Sequence, residues 1–122
     1  MPQQWETLSG SAVPLSLVKA DLFRALAHPA RVRALEVLVE GERSVGQLQP
    51  LVGIELSHLS QQLGVLRRAG LVSSRRERSS VFYSVASPLV ADLLAVAKQL
   101  LVANLSETQD LLAGLTTSSS EG

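Results

Sequence analysis

The sequence predicts a mainly α fold with one small β-hairpin, in the order α-α-α-α-β-β-α. Three observations carry that expectation. Apolar residues recur at helical spacing along most of the 122 residues. Pro29, Gly41, Gly53, Gly70 and Pro88 cut the pattern into segments of helix length. Only "LVSSRRERSSVFYSV", residues 71–85, breaks the helical spacing, with Val, Phe and Tyr at its ends and polar residues between.

Taken in order, residues 1–14 contain Pro2, Gly10 and Pro14 and read as a flexible arm that carries Trp5. "SLVKADLFRALAHP" reads as a helix capped by Ser16, with Val18, Leu22, Ala25 and Leu26 as its apolar stripe. Pro29 ends that helix and opens the next, where Val32, Leu35, Leu38 and Val39 are expected to point inward and Gly41 to stop the run. Ser44 is placed to cap a short third helix anchored by Val45, Leu48 and Leu51 and shortened or distorted by Pro50. A fourth helix follows Gly53, with Glu55 as a weak cap, and ends at Gly70. Two strands, near 71–75 and 80–85, flank a basic turn. Pro88 opens a long last helix, and residues 116–122 read as a disordered tail. Residues 15–115 are thus expected to form one domain. Two helices separated by a glycine turn and backed by a hairpin make a winged helix-turn-helix.

The fourth helix, "LSHLSQQLGVLRR", divides by angle at about 100° per residue. Leu59, Leu63 and Leu66 share one side, with Leu56 nearby. Ser57, Ser60, Gln61, Gly64 and Arg68 take the other. His58 lies beside that polar side. Short hydroxyls, an amide and an arginine suit base edges and phosphates, whereas a merely solvated face more often carries Glu and Lys. Gln61 can pair with adenine through both amide atoms, and Arg68 can reach guanine or a phosphate, its place late in the helix favouring phosphate. Gly64 either lets a DNA backbone come close or is simply tolerated there. Eleven basic residues offset eleven acidic ones, but between Ser57 and Tyr83 five arginines face Glu77 alone. Arg75, Arg76 and Arg78 at the hairpin turn extend the polar face as a positive strip.

Composition excludes several other roles. With no cysteine there is no disulfide, thiolate metal site or thiol switch. His28 and His58 are the only histidines, so no metal site is expected. His28, before Pro29, is placed to meet free carbonyls or the helix dipole. No Ser–His–Asp grouping or glycine-rich phosphate loop points to an enzyme, and no cofactor is expected. Apolar runs fall short of about 18 residues and the N-terminus lacks a secretion pattern, which predicts a cytoplasmic protein without membrane contact. The last helix carries more apolar residues than one stripe needs. A homodimer is therefore expected, with Leu15, Leu17, Leu93, Val96, Leu100 and Leu101 at its interface.

The text "ALAHPARVRALEVLVEGERSVGQL", then "LSHLSQQLGVLRRAGLVSSRR", then "VFYSV", resembles the ArsR/SmtB family of winged-helix transcription regulators over residues 18 to 105. The resemblance implies a homodimer built from the first and last helices, with the fourth helix in the DNA major groove. It assigns groove reading to Ser57, His58, Ser60, Gln61 and Gln62, and the wing to Arg75, Arg76 and Arg78. It also matches Tyr83 to the aromatic of the second wing strand. Many family members carry histidines at the places of Gln61 and Gln62, lysine at that of Gly64 and glycine at that of Arg78. The two cysteines of soft-metal sensors fall on Ser44 and Gly46, and the last helix offers Asp92, Glu107 and Asp110 without a histidine.

The expected function is that of a dimeric, sequence-specific regulator of transcription that binds a pseudo-palindromic operator in double-stranded DNA, with any signal arriving through a small apolar ligand or a partner protein. The alternative is a dimeric winged-helix adaptor that binds another protein.

Overall fold

The computed structural model describes residues 14–121, with side chains to Leu115. The arm expected over residues 1–14 lies outside the described residues, apart from Pro14. The elements in order are α1 (Leu15–Leu26), α2 (Pro29–Val39), β1 (Arg43–Ser44), α3 (Val45–Val52), α4 (Leu56–Arg68), β2 (Val72–Glu77), β3 (Ser80–Val85) and α5 (Leu89–Glu121). The chain forms two compact units, one ending at Val90 and the other beginning at Ala91.

Local chemistry sets the boundaries of the first unit. α1 begins at Leu15 after Pro14 without a side-chain cap, so Ser16 does not cap it as expected. Pro14 fixes its own φ and supplies the carbonyl that receives the first amides. His28 caps the next helix: its Nδ1 accepts from the amide of Ala30 at 3.1 Å, and Pro29 takes the first helical position. That is an N-terminal role, not the carbonyl contact expected of this imidazole. Ser44 forms a full capping box with Gln47, by bonds of 3.1 and 2.9 Å. Pro50 is accommodated inside the short α3, and Gly53 ends it in the left-handed conformation, at φ 82°.

The core of this unit is built from Leu, Val and Ala. Leu35, Leu38, Leu48, Leu59, Leu63 and Leu66 are all essentially inaccessible, joined by Ala34, Val37 and Val72. Val18, Val39 and Leu51, expected to point inward, are exposed, and Val37 is buried in their place. On α2, Ala34, Leu35, Val37 and Leu38 face α3 and α4, a face one residue away from the one that would include Val39.

The sheet has three strands, not the expected two, in the order β1-β3-β2 and antiparallel throughout. β2 and β3 pair from Val72 with Val85 out to Glu77 with Ser80. The two-residue β1 adds Arg43 opposite Tyr83 and Ser44 opposite Phe82. At the turn Arg78 has φ 58°, the left-handed conformation for which glycine is the usual residue.

α5 belongs mainly to the second unit. Its backbone is helical to Glu121, within the segment 116–122 read from the sequence as a tail, and the last residue lies outside the described residues. No proline interrupts it after Gly114, and each added residue of an existing helix gains a hydrogen bond. Over Leu89–Leu115 this helix, with a mean hydropathy of 1.5, is long and apolar enough to cross a membrane by length and composition. The expectation from apolar runs missed this because Asp92, Lys98, Glu107 and Asp110 interrupt them.

Replacing Ser44 with alanine removes the side-chain half of the capping box. The variant is expected to lose about 1 kcal/mol of stability, read as a lower urea midpoint with an unchanged slope.

Candidate nucleic-acid interface

α4 is held by its leucine face. Leu59, Leu63 and Leu66 have no accessible surface, and Gln62 is 6% exposed beside them. The opposite face is therefore turned outward, and Ser57, Ser60, Gln61 and Arg68 are all exposed on it. The Ser57 and Ser60 hydroxyls lie near the helix N-terminus, where the first backbone amides lack helical partners and favour an anion. Gly64 leaves space that Arg68 uses: a Cβ at Gly64 would stand 3.2 Å from Arg68 Nη1. The guanidinium thus lies back along the outward face, where the sequence had suggested room for a DNA backbone.

Of the residues assigned to groove reading, Gln62 lies off the outward face and His58 lies at its margin. Gln62 is buried, so its amide does not share the outward face, and its Oε1 has no hydrogen-bond partner. The reason is angular: at about 100° per residue, position 62 falls some 60° from Leu59 and about 100° from Gln61. His58 is exposed but leans toward α2, meeting His28 edge to face with ring centroids 5.9 Å apart. It sits at the margin of the polar face. Among the described residues no group of three His, Asp or Glu side chains is placed to hold a metal.

The wing presents its arginines unequally. Arg76 and Arg78 are exposed and make no hydrogen bond or ion pair with any described residue. Arg75 is already engaged. Its Nε and Nη2 donate to the two carboxylate oxygens of Glu42, at 3.0 and 2.7 Å, and its Nη1 donates to Glu77 at 2.6 Å. The guanidinium also lies 4.6 Å from the centre of the Phe82 ring. These bonds hold the Glu42 carboxyl below the usual carboxylate range and raise the Arg75 guanidinium above its own. Of the three arginines expected to form the positive strip at the wing, Arg75 is thus paired with carboxylates, and Arg76 and Arg78 have no partner among the described residues. Glu42 comes into reach only because β1 joins the sheet beside it, a pairing the sequence did not reveal. Arg67 Nη1 donates to Ser74 Oγ at 3.3 Å and ties α4 to β2, a second contact the sequence reading missed.

The residues expected at a dimer interface divide by exposure. Leu15 on α1 and Val96, Leu100 and Leu101 on α5 are open, whereas Leu17 and Leu93 are half-buried.

The burial of Gln62 separates it from its neighbour in function. Gln62→Met removes an unpaired buried acceptor while keeping the shape of the side chain. It is expected to raise stability by about 1 kcal/mol, measured by urea unfolding, and to leave duplex affinity unchanged in a binding titration.

Known proteins share this arrangement. Residues 28–74 match the family model described as "Bacterial regulatory protein, arsR family". An "Uncharacterized HTH-type transcriptional regulator" of Mycobacterium tuberculosis is 55% identical over 106 residues, which cover 83% of this chain and 93% of that protein. The crystal structure of the same mycobacterial protein superposes with a TM-score of 0.73 at 56% identity, over 79% of this chain and 97% of that one. A solution structure from Mycobacterium bovis, described as a homodimeric winged helix-turn-helix DNA-binding domain, gives a TM-score of 0.71 at 30% identity, over 82% of this chain and 95% of that one. A "Biofilm growth-associated repressor" of Xylella fastidiosa is 45% identical over 75 residues, 62% of this chain and 66% of that protein. With a helix-turn-helix at α3–α4, a β2–β3 wing and a mycobacterial relative matched over nearly its whole length, the chain belongs to the arsR family of bacterial regulatory proteins.

Proposed function

We propose that the chain is a sequence-specific regulator of transcription that binds double-stranded DNA as a homodimer in the cytoplasm. One observation carries the reading: the outward face of α4, with Ser57, Ser60, Gln61 and Arg68, is fixed opposite a fully buried leucine stripe. A helix fits the major groove, and these side chains are short enough, or suitably forked, to reach base edges and phosphates. Gln61 is the base reader, Ser57, Ser60 and Arg68 contact phosphate, and Arg76 and Arg78 hold the backbone beside the groove.

The dimer has its own support. On α5, Val96, Leu100, Leu101 and Leu105 are each more than half exposed, and on α1 so are Leu15 and Phe23. Apolar side chains in such number call for a covering surface, and the M. bovis relative is described as homodimeric. A membrane would be a poorer cover for α5. Asp92, Lys98, Glu107 and Asp110 lie along its apolar stretch, and a charge at the bilayer centre costs about 2.5–3.5 kcal/mol or more. Two copies related by a twofold axis present two α4 helices, which demands an operator of matching symmetry.

Selection of bound duplexes from a random pool is expected to yield a pseudo-palindrome with half-sites about 10–10.5 base pairs apart. Enrichment of no common sequence, together with capture of a protein partner by the same face, would favour the adaptor reading. Gln61→Ala is expected to narrow the gap between selected and random duplexes. Arg76→Ala is expected to weaken both equally and to reduce the salt slope by about 0.9, as read by anisotropy titrations at several salt concentrations.

A further inference from the structure

Cross-strand register sorts the wing side chains by face. Arg75, opposite Phe82, shares one face of the hairpin with Glu77 and Ser80. Arg76, opposite Val81, shares the other with Ser74 and Tyr83, the face whose inner end is the buried Val72. On the first face Arg75 reaches across β3, over the Phe82 ring, to Glu42 just ahead of β1. The single guanidinium therefore spans all three strands. Glu77 lies on the same strand as Arg75 and moves with it, so it cannot tie the wing to the body of the domain. Glu42, at the end of the α2–β1 loop, can.

A carboxylate that accepts two parallel N–H bonds from an arginine occupies the fork a phosphate would use. Glu42 does this with both oxygens. The pair remains open to water, with the side chains of Arg75 and Glu42 50% and 36% exposed. Exposed pairs of this kind contribute little to stability, which directs attention to what the pair withholds. Each arginine that reaches a phosphate adds to sequence-independent affinity. A free Arg75 would strengthen binding to every duplex alike and lower the ratio of operator to random binding.

We propose that Glu42 is a positioning and specificity-determining residue: it occupies the Arg75 guanidinium as an internal substitute for phosphate, so that only Arg76 and Arg78 of the wing serve the DNA backbone. The inference rests on the DNA-binding reading above. It makes Glu42 a restraint on non-specific affinity, acting through Arg75 without touching DNA.

A double-mutant cycle on the full chain tests this, with Glu42→Gln, Arg75→Gln and the double variant. Each is titrated with a mixed-sequence duplex between about 50 and 200 mM salt. Thermal unfolding confirms that all four proteins are folded. Glu42→Gln is expected to steepen the salt slope by about 0.9 and to tighten binding severalfold at low salt. In the Arg75→Gln background the same change is expected to have little effect. Equal effects of Glu42→Gln in both backgrounds would show only the loss of a negative charge and would overturn the proposal, as would no effect in either. If the wild-type chain shows no salt-dependent duplex binding at all, the DNA-binding reading fails and takes this inference with it.

Discussion

The structure depends on the complete burial of one leucine stripe. Leu59, Leu63 and Leu66 on α4 have no surface left to water, and α4 packs against α2 and α3, whose Leu35, Leu38 and Leu48 are essentially as buried. Burying three leucines is worth roughly 5–9 kcal/mol, which is comparable to the whole stability of a small domain. Turning α4 about its axis would forfeit that contribution. The polar side of the helix is therefore aimed outward by the core behind it, and Gly53 and Gly70 set where the helix starts and stops. The precision of the surface comes from the packing beneath it.

Charge is organised on the same scaffold. The chain as a whole is neutral, so an overall field cannot draw it to a polyanion, and local placement must do so. The wing keeps Arg76 and Arg78 free at its tip, while Glu42 and Glu77 neutralise Arg75 at its flank. The ladder of β2 with β3 makes this possible, because alternate residues of a strand face opposite ways. Arg78 occupies a left-handed turn position where glycine costs less, and so puts a cation at the extreme tip of the hairpin. On the proposed DNA-binding reading, a helix with few charges would read bases while a wing with two free ones would hold the backbone.

Much of this was legible in the sequence, and the exceptions have physical causes. The angular separation of Leu59, Leu63 and Leu66 from Ser57 and Gln61 follows from helix geometry alone, and so the outward face of α4 was readable. Ser44 with Gln47 three positions on, and the glycines after α3 and α4, announced the local boundaries. β1 was not legible, since two residues carry no period. With β1 unseen, the contact between Arg75 and Glu42, 33 positions apart, could not be anticipated. Gln62 was misplaced because the family resemblance assigned it by position, while its angle puts it with the leucines. His28 reads ambiguously because the same imidazole can donate to the end of one helix or accept at the start of the next, and Pro29 alone does not choose between them.

The central claim is that a single continuous surface, the outward face of α4 plus the wing tip, meets DNA. Amide and side-chain NMR shifts of the full chain, followed during titration with a short mixed-sequence duplex at low salt, test it most directly. The account predicts that the largest changes fall on Ser57, Ser60, Gln61, Arg68, Arg76 and Arg78, with the Gln62 amide and the Arg75 guanidinium nearly still. Changes concentrated on residues outside α4 and the wing, with Gln61 and Arg76 silent, would contradict it.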